Sequence, residues 1–228
     1  MERNPIEIFW ILLLGLGVGI PLVGGAIASI HEYRRRREFR ALAARLGLRY
    51  RRKDLSLAQR YAFLNRRRVN GARYAFNVLE GDCQGHPVRV FDFHNEIRRS
   101  SKGRPTTERR HLSCFVLEHQ LAAPELLILS ESRPLRLGKT FGLPDIDFES
   151  NEFSRAFVVQ CKDKRFAYDI CHTRMMEYLL AHRDLSIEIE RNCLSLSFDR
   201  RLKVAEIPQR LEQLLEIRDL FPNYLFRA

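Results

Sequence analysis

Residues 8 to 30, IFWILLLGLGVGIPLVGGAIASI, run for 23 positions without a charge and stop against His31-Glu32-Tyr33-Arg34-Arg35-Arg36-Arg37. At about 1.5 Å per residue such a run makes about 34 Å of helix, enough for a hydrocarbon core of about 30 Å. The pattern predicts a transmembrane helix over 8–30, preceded by a short extracytoplasmic N-terminus at 1–7. Trp10 and Tyr33 stand near its limits, where amphipathic rings favour the headgroup region. Gly15 and Gly19 form a Gly-x-x-x-Gly through which two such helices could associate, and Pro21 removes a backbone donor mid-span.

A cleaved secretory signal is the competing reading, because Ala26-Ile27-Ala28 has the small-x-small form of a cleavage site. Against it, MERNPIE carries one Arg and two Glu where a signal wants a basic n-region. The apolar run also exceeds the usual h-region of about 7–15 residues. Arginines flanking a span stay in the cytoplasm, and here they follow it. The expectation is therefore a single-pass membrane protein with its N-terminus outside and residues 31–228 in the cytosol.

A net charge of +11 and a pI near 9.9 invite a nucleic-acid reading, but the charge is confined. Residues 31–73 hold fifteen Arg or Lys against Glu32, Glu38 and Asp54, whereas 74–228 hold 23 basic and 23 acidic residues. Basic residues beside an anionic leaflet gain about 1 kcal/mol each. Arg34, Arg35, Arg36, Arg37 and Arg40 are thus candidates for lipid-surface contact, with the bilayer and anionic headgroups as partners. A plain topology signal explains the same residues, and nucleic-acid binding through 34–68 is a further alternative.

The remaining chain reads as a basic juxtamembrane helix and linker over 31–53, then one α+β domain over 54–228. Arg36 to Leu46 has helical character ending at Gly47 as a C-cap, and a short helix follows between Ser56 and Asn65. Then the period becomes two. Arg73–Glu80 and Pro87–Asn95 form a hairpin around 81–85, with further strands at Arg110–His119, Leu126–Ser130 and Phe153–Cys161. Residues 97–108, polar with Gly and Pro, read as a loop. A helix is expected over Asp163–His182, then strands Ser186–Glu190 and Leu194–Phe198 joined by a tight turn at Arg191-Asn192. A last helix begins at Pro208. Hairpins with flanking helices and no regular βαβ alternation predict an antiparallel sheet.

Five cysteines without paired spacing read as reduced thiols. Cys83-x-x-His86 with His94 lacks a fourth metal ligand at familiar spacing, and His111 with His119 would share a strand face. In Asp145-x-Asp147-x-Glu149 an extended chain points three carboxylates one way, enough oxygen ligands to begin a divalent-cation site. Arg155, Lys162 and Arg165 could neutralise them instead. No Gly-rich phosphate loop, Gly-x-Ser-x-Gly elbow, His-Glu-x-x-His or kinase set occurs, so the residues call for no cofactor and name no catalytic group.

The stretch Leu143-Pro144-Asp145-Ile146-Asp147-Phe148, with Glu152-Phe153-Ser154-Arg155 after it, resembles a D-I-D-F…E-F-S-R segment of bacterial membrane-anchored proteins that have no assigned activity. The region Gly81…Phe91-Asp92-Phe93 is similar to them in outline. The resemblance implies a bacterial inner (plasma) membrane anchor and no catalytic role. The reading that results is an interaction or regulatory module held at the membrane surface, with a protein partner or self-association through Gly15/Gly19. Its alternative is a tethered enzyme using a cation at Asp145, Asp147 and Glu149.

Overall fold

The computed structural model describes residues 29–66, 71–101, 104–131 and 142–226. Helix α1 is described from residue 29 to 46, and its amphipathic character decides where it goes. Phe39, Leu42 and Ala43 lie on one side and are buried in the main core, while Arg34, Arg37 and Arg40 face out. The helix ends as predicted at Gly47, whose φ of +68° suits a residue without Cβ. Leu48 N–H donates to the Ala43 carbonyl at 2.9 Å and Gly47 N–H to that of Ala44 at 3.5 Å, the two closing bonds of a Schellman motif.

The chain then builds one antiparallel sheet. Its strands are β1 (Arg49–Asp54), β2 (Arg73–Cys83), β3 (His86–Ser101), β4 (Arg104–Ser130), β5 (Asp145–Ile146), β6 (Phe157–Cys161) and β7 (Ile187–Phe198). The order is β1-β2-β3-β4-β6-β5, with β7 also paired to β4. β3 follows β4 as far as Val88↔Leu117, and β6 takes over only from Leu126↔Cys161. The sheet therefore opens between residues 118 and 125.

β7 doubles back within its length. Ser195 Oγ donates to the Glu188 carbonyl at 3.2 Å. Seven residues of extended chain would separate them by about 23 Å. The reversal falls at Arg191, with φ +54°, so the predicted tight turn at Arg191-Asn192 is present inside this element. The pairing register of β4 against β7 jumps at the same level, between Glu118 and Leu126.

Period-two alternation sorts the core into two faces. Val88, Val90, Phe115, Leu117, Leu194 and Leu196 point to the main core. This face is covered by α1 and by α4 (Asn151–Ala156), α5 (Lys164–Ile170), α6 (Thr173–Ala181) and α7 (Ile207–Asp219). Phe91, Phe93, Leu112, Cys114 and Val116 point the other way, under the short helices α2 (Leu57–Arg60) and α3 (Ala62–Arg66).

Several expectations change. Among the described residues no helix is long and apolar enough to cross a membrane. The transmembrane helix over 8–30, with Gly15 and Gly19, lies outside the described residues except for Ser29 and Ile30. These two belong to α1, which carries arginines outside and its apolar side into the core. The fold class is corrected to an antiparallel sheet with flanking helices. The single-pass placement in a bacterial inner membrane is corrected with it, since no membrane-crossing helix is found to support it. Within 97–108, expected as a loop, residues 97–101 and 104–108 extend β3 and β4, paired from Ile97↔Glu108 to Ser101↔Arg104. The expected strand Phe153–Cys161 is half helix: Ser150 Oγ accepts from Phe153 N–H at 3.3 Å and caps α4.

Candidate functional site

The residues singled out in the sequence do not converge. Of the juxtamembrane arginines, Arg34, Arg37 and Arg40 are exposed, with Arg40 stacked 5.5 Å over the Tyr50 ring of β1. Arg36 lies 3.7 Å from Glu32, and Arg35 turns inward. Asp145 of the acidic run accepts a hydrogen bond from Gln160 Nε2 at 2.7 Å across the β5–β6 pair. The Asp147 carbonyl accepts from the Tyr168 hydroxyl at 3.1 Å, and Glu149 sits in the loop before α4. No group of three or more His, Cys, Asp or Glu able to hold a metal ion occurs among the described residues. Cys83 and His86 face each other across the β2–β3 turn, while His94 lies eight residues down β3, about 27 Å away.

Two polar clusters that the motifs did not reveal lie at different levels along the β3–β4 pair, the first on the face covered by α1 and the second with members on both faces. The first centres on Asp92, which is fully buried. Arg35 grips it as a fork, Nε to Oδ2 at 3.0 Å and Nη2 to Oδ1 at 2.9 Å. Asn77 Nδ2 and Ser113 Oγ donate to it at 3.0 Å each, and Arg201 Nε stands 3.5 Å from Oδ2. Asn77 reaches it from a bulge between Phe76 and Leu79, with φ +52°. Arg35 Nη1 also donates to the Leu202 carbonyl at 2.8 Å, and Arg201 Nη2 to Glu32 at 3.0 Å. This knot ties α1, three strands and the segment after β7 together.

Beside it His94 Nδ1 and His111 Nε2 lie 3.0 Å apart, with Tyr74 stacked on His94 at 4.7 Å. Burial lowers the pKa of both imidazoles, and each feels nearby cations.

The second cluster lies at the other end of β4, where the sheet opens. Glu118 accepts from Arg60 Nη2 at 2.9 Å and the Tyr61 hydroxyl at 3.2 Å, and it is in closer contact still with Arg89. Burial pushes the Tyr61 phenol up to about 12, against the opposing field of Arg89. Next to it His119 is only 7% exposed, and neither ring nitrogen makes a well-formed hydrogen bond, the Leu121 backbone giving only a weak one. Burial brings its pKa down to about 4, with the Arg218 charge adding to the effect and the Leu121 backbone opposing it.

Arg218, from the last turn of α7, stacks its guanidinium 3.9 Å over Phe226, and its Nε is buried without a partner. A cleft of about 590 Å³ runs between these groups and the β2–β3 turn. A narrower one on the far side of Glu118 is lined by Arg60, Tyr61 and Cys193, whose thiol burial pushes up to about 11.

The signal for Asp92 was present: alternation places it on the inward face with Val88 and Val90, where a carboxylate needs partners. No local signal marks His119 and Arg218, which meet only through the fold.

No protein-family profile and no curated protein matches the chain. Among solved structures, the crystal structure of the mycobacterial trehalose monomycolate transport factor A, TtfA, is similar in fold. The TM-score is 0.61 at 16% identity, covering 83% of this chain and 95% of that one.

Proposed function

We propose that this chain is a non-catalytic interaction module that docks an acidic segment of a partner protein on the basic face made by α1 and β1. The observation that carries the reading is where the charge sits. Residues 31–53 hold ten basic and two acidic side chains, and they form one helix and the strand at the sheet edge beside it. Arg34, Arg37, Arg40, Arg49 and Arg52 are exposed there.

Among the described residues nothing pairs with the outer edge of β1, so its backbone groups are open to a further strand. Basic side chains on such an edge discourage self-association and at the same time select an acidic strand. TtfA, which is similar in fold, is by its name a transport factor.

The test places a photo-crosslinking residue at 37, at 52 and, on exposed α7, at 212 in cells of the source organism. One acidic protein should be captured from 37 and 52 but not from 212, and lost in the triple variant Arg34→Glu/Arg40→Glu/Arg49→Glu. Adducts to lipid alone, equal capture from 212, or no adduct at all each overturn the reading.

A further inference from the structure

We propose that the cleft where β4 leaves β3 is a binding site for a small organic oxyanion, a carboxylate or a phosphate monoester, held by His119 and Arg218. The site is separate from the basic α1–β1 face and independent of it. Three observations lead to it.

The first is the state of His119. A buried polar atom without a partner costs about 1–3 kcal/mol, and folded proteins avoid it. Neither ring nitrogen of this 7%-exposed residue makes a well-formed hydrogen bond, the Leu121 backbone giving only a weak one, and the ring lines a cleft of about 590 Å³. That volume lies within the range of small-molecule sites, about 300–1,000 Å³.

The second is the balance of charge around the cleft. Two carboxylates line it, and both are engaged elsewhere. Glu118 is held by Arg60, Arg89 and Tyr61, and Asp82 accepts the Gly85 N–H of its own turn at 2.8 Å. Arg218 makes no ion pair among the described residues, and its Nε is buried without a partner. Burial lowers the pKa of this guanidinium, so a bound anion would restore what burial removes.

The third is preorganisation. The Arg218 guanidinium stacks 3.9 Å over Phe226 and lies 5.9 Å from Phe221, and these two rings stack on each other at 6.4 Å, so an aromatic pair holds it from one side. The His119 ring meets the same two phenylalanines edge-on at 6.1 and 6.3 Å. A donor from each residue is therefore held in place before any ligand arrives. A guanidinium matches the two oxygens of a carboxylate or phosphate, and a neutral imidazole supplies one N–H. Phe226 and Pro87 offer the apolar wall on which a short alkyl or aryl portion would rest.

The experiment follows the histidine ring ¹⁵N signals of the full chain during titration with butyrate, with butyl phosphate and with butanol. The His119 signals, assigned by their loss in His119→Phe, should shift saturably with one or both anions and not with butanol. Arg218→Gln should weaken that affinity at least tenfold, while Arg174→Gln, an exposed arginine on α6, should leave it unchanged. Urea denaturation confirms that each variant is folded. If Arg218→Gln unfolds, Arg218→Lys replaces it, and the loss of the fork should still weaken binding. Whichever anion binds names the ligand class. No shift at tens of millimolar, an equal response to butanol, or an unaltered affinity in the folded Arg218 variant overturns the proposal; in that case the cleft holds solvent alone.

Discussion

The two polar clusters differ in one respect that bears on function. Ser113 of the Asp92 knot and His119 of the cleft point the same way from β4, six residues and about 20 Å apart. Around Asp92 both carboxylate oxygens are met, by two guanidiniums, an amide and a hydroxyl, and Arg201 Nε, which makes no hydrogen bond, still stands 3.5 Å from the charge it neutralises. Around His119 a buried polar ring without a well-formed hydrogen bond meets phenylalanine edges, the Leu121 backbone and an arginine whose Nε is itself short of an acceptor. A satisfied buried network fixes the fold, whereas an unsatisfied one beside open space costs stability that only binding recovers.

The comparison is most sharply tested by removing the two centres. Asp92→Ala leaves Arg35 and Arg201 facing each other without their carboxylate, and should cost about 3–5 kcal/mol in urea denaturation. A loss below about 1 kcal/mol would mean that the knot is not what ties α1 to the sheet. Arg35→Met should cost less, about 1.5–3 kcal/mol, because Arg201, Asn77 and Ser113 still serve the carboxylate. His119→Phe should go the other way. It removes two nitrogens without a well-formed hydrogen bond beside a cleft with room for the larger ring, and should raise stability by about 1 kcal/mol. Destabilisation by as much as Asp92→Ala would erase the distinction between the two clusters.

The same contrast shows what the sequence made legible. Strands that alternate apolar with polar residues announced themselves, as in Leu194, Leu196 and Phe198, and Gly47 marked the end of α1. The paired extensions 97–101 and 104–108 did not, because they have no apolar alternation to read. The stretch 163–182 read as one helix because Ala167, Ile170, Cys171, Met175, Tyr178 and Leu179 recur at helical spacing. It is two helices, α6 beginning where the His172 ring accepts from Met175 N–H at 3.4 Å. Asp92 was readable as an inward-facing carboxylate, and its partners were not. Arg35 sits in a run of four arginines, and only the rotation of α1 separates it from exposed Arg34 and Arg37. The cleft was beyond reach for a similar reason: His119 and Arg218 come from β4 and α7, and no spacing rule links them.

Acid should act on both clusters through their histidines, and the variants can apportion the effect. The folded-state pKa of His119 is about 4, against 6.5 for a free imidazole, because burial and Arg218 disfavour its charged form. Between those values the unfolded chain binds the proton and the folded one does not. The stability that neutral His119 represents is thus complete above about pH 6.5 and drains as pH falls towards 4. The groups facing it, Arg218 and to a lesser extent His86, oppose its protonation. His94 and His111 are lowered too, so their share of the loss has the same sign and belongs to the other end of the strand. Urea midpoints of the native chain should therefore decline from pH 6.5 to 4, and those of His119→Phe should decline less over the same interval. The difference between the two curves is the contribution of the cleft, and what remains includes that of the His94–His111 pair. Identical slopes would mean that His119 is protonated as readily folded as unfolded, and the buried ring at the cleft would have to be given up.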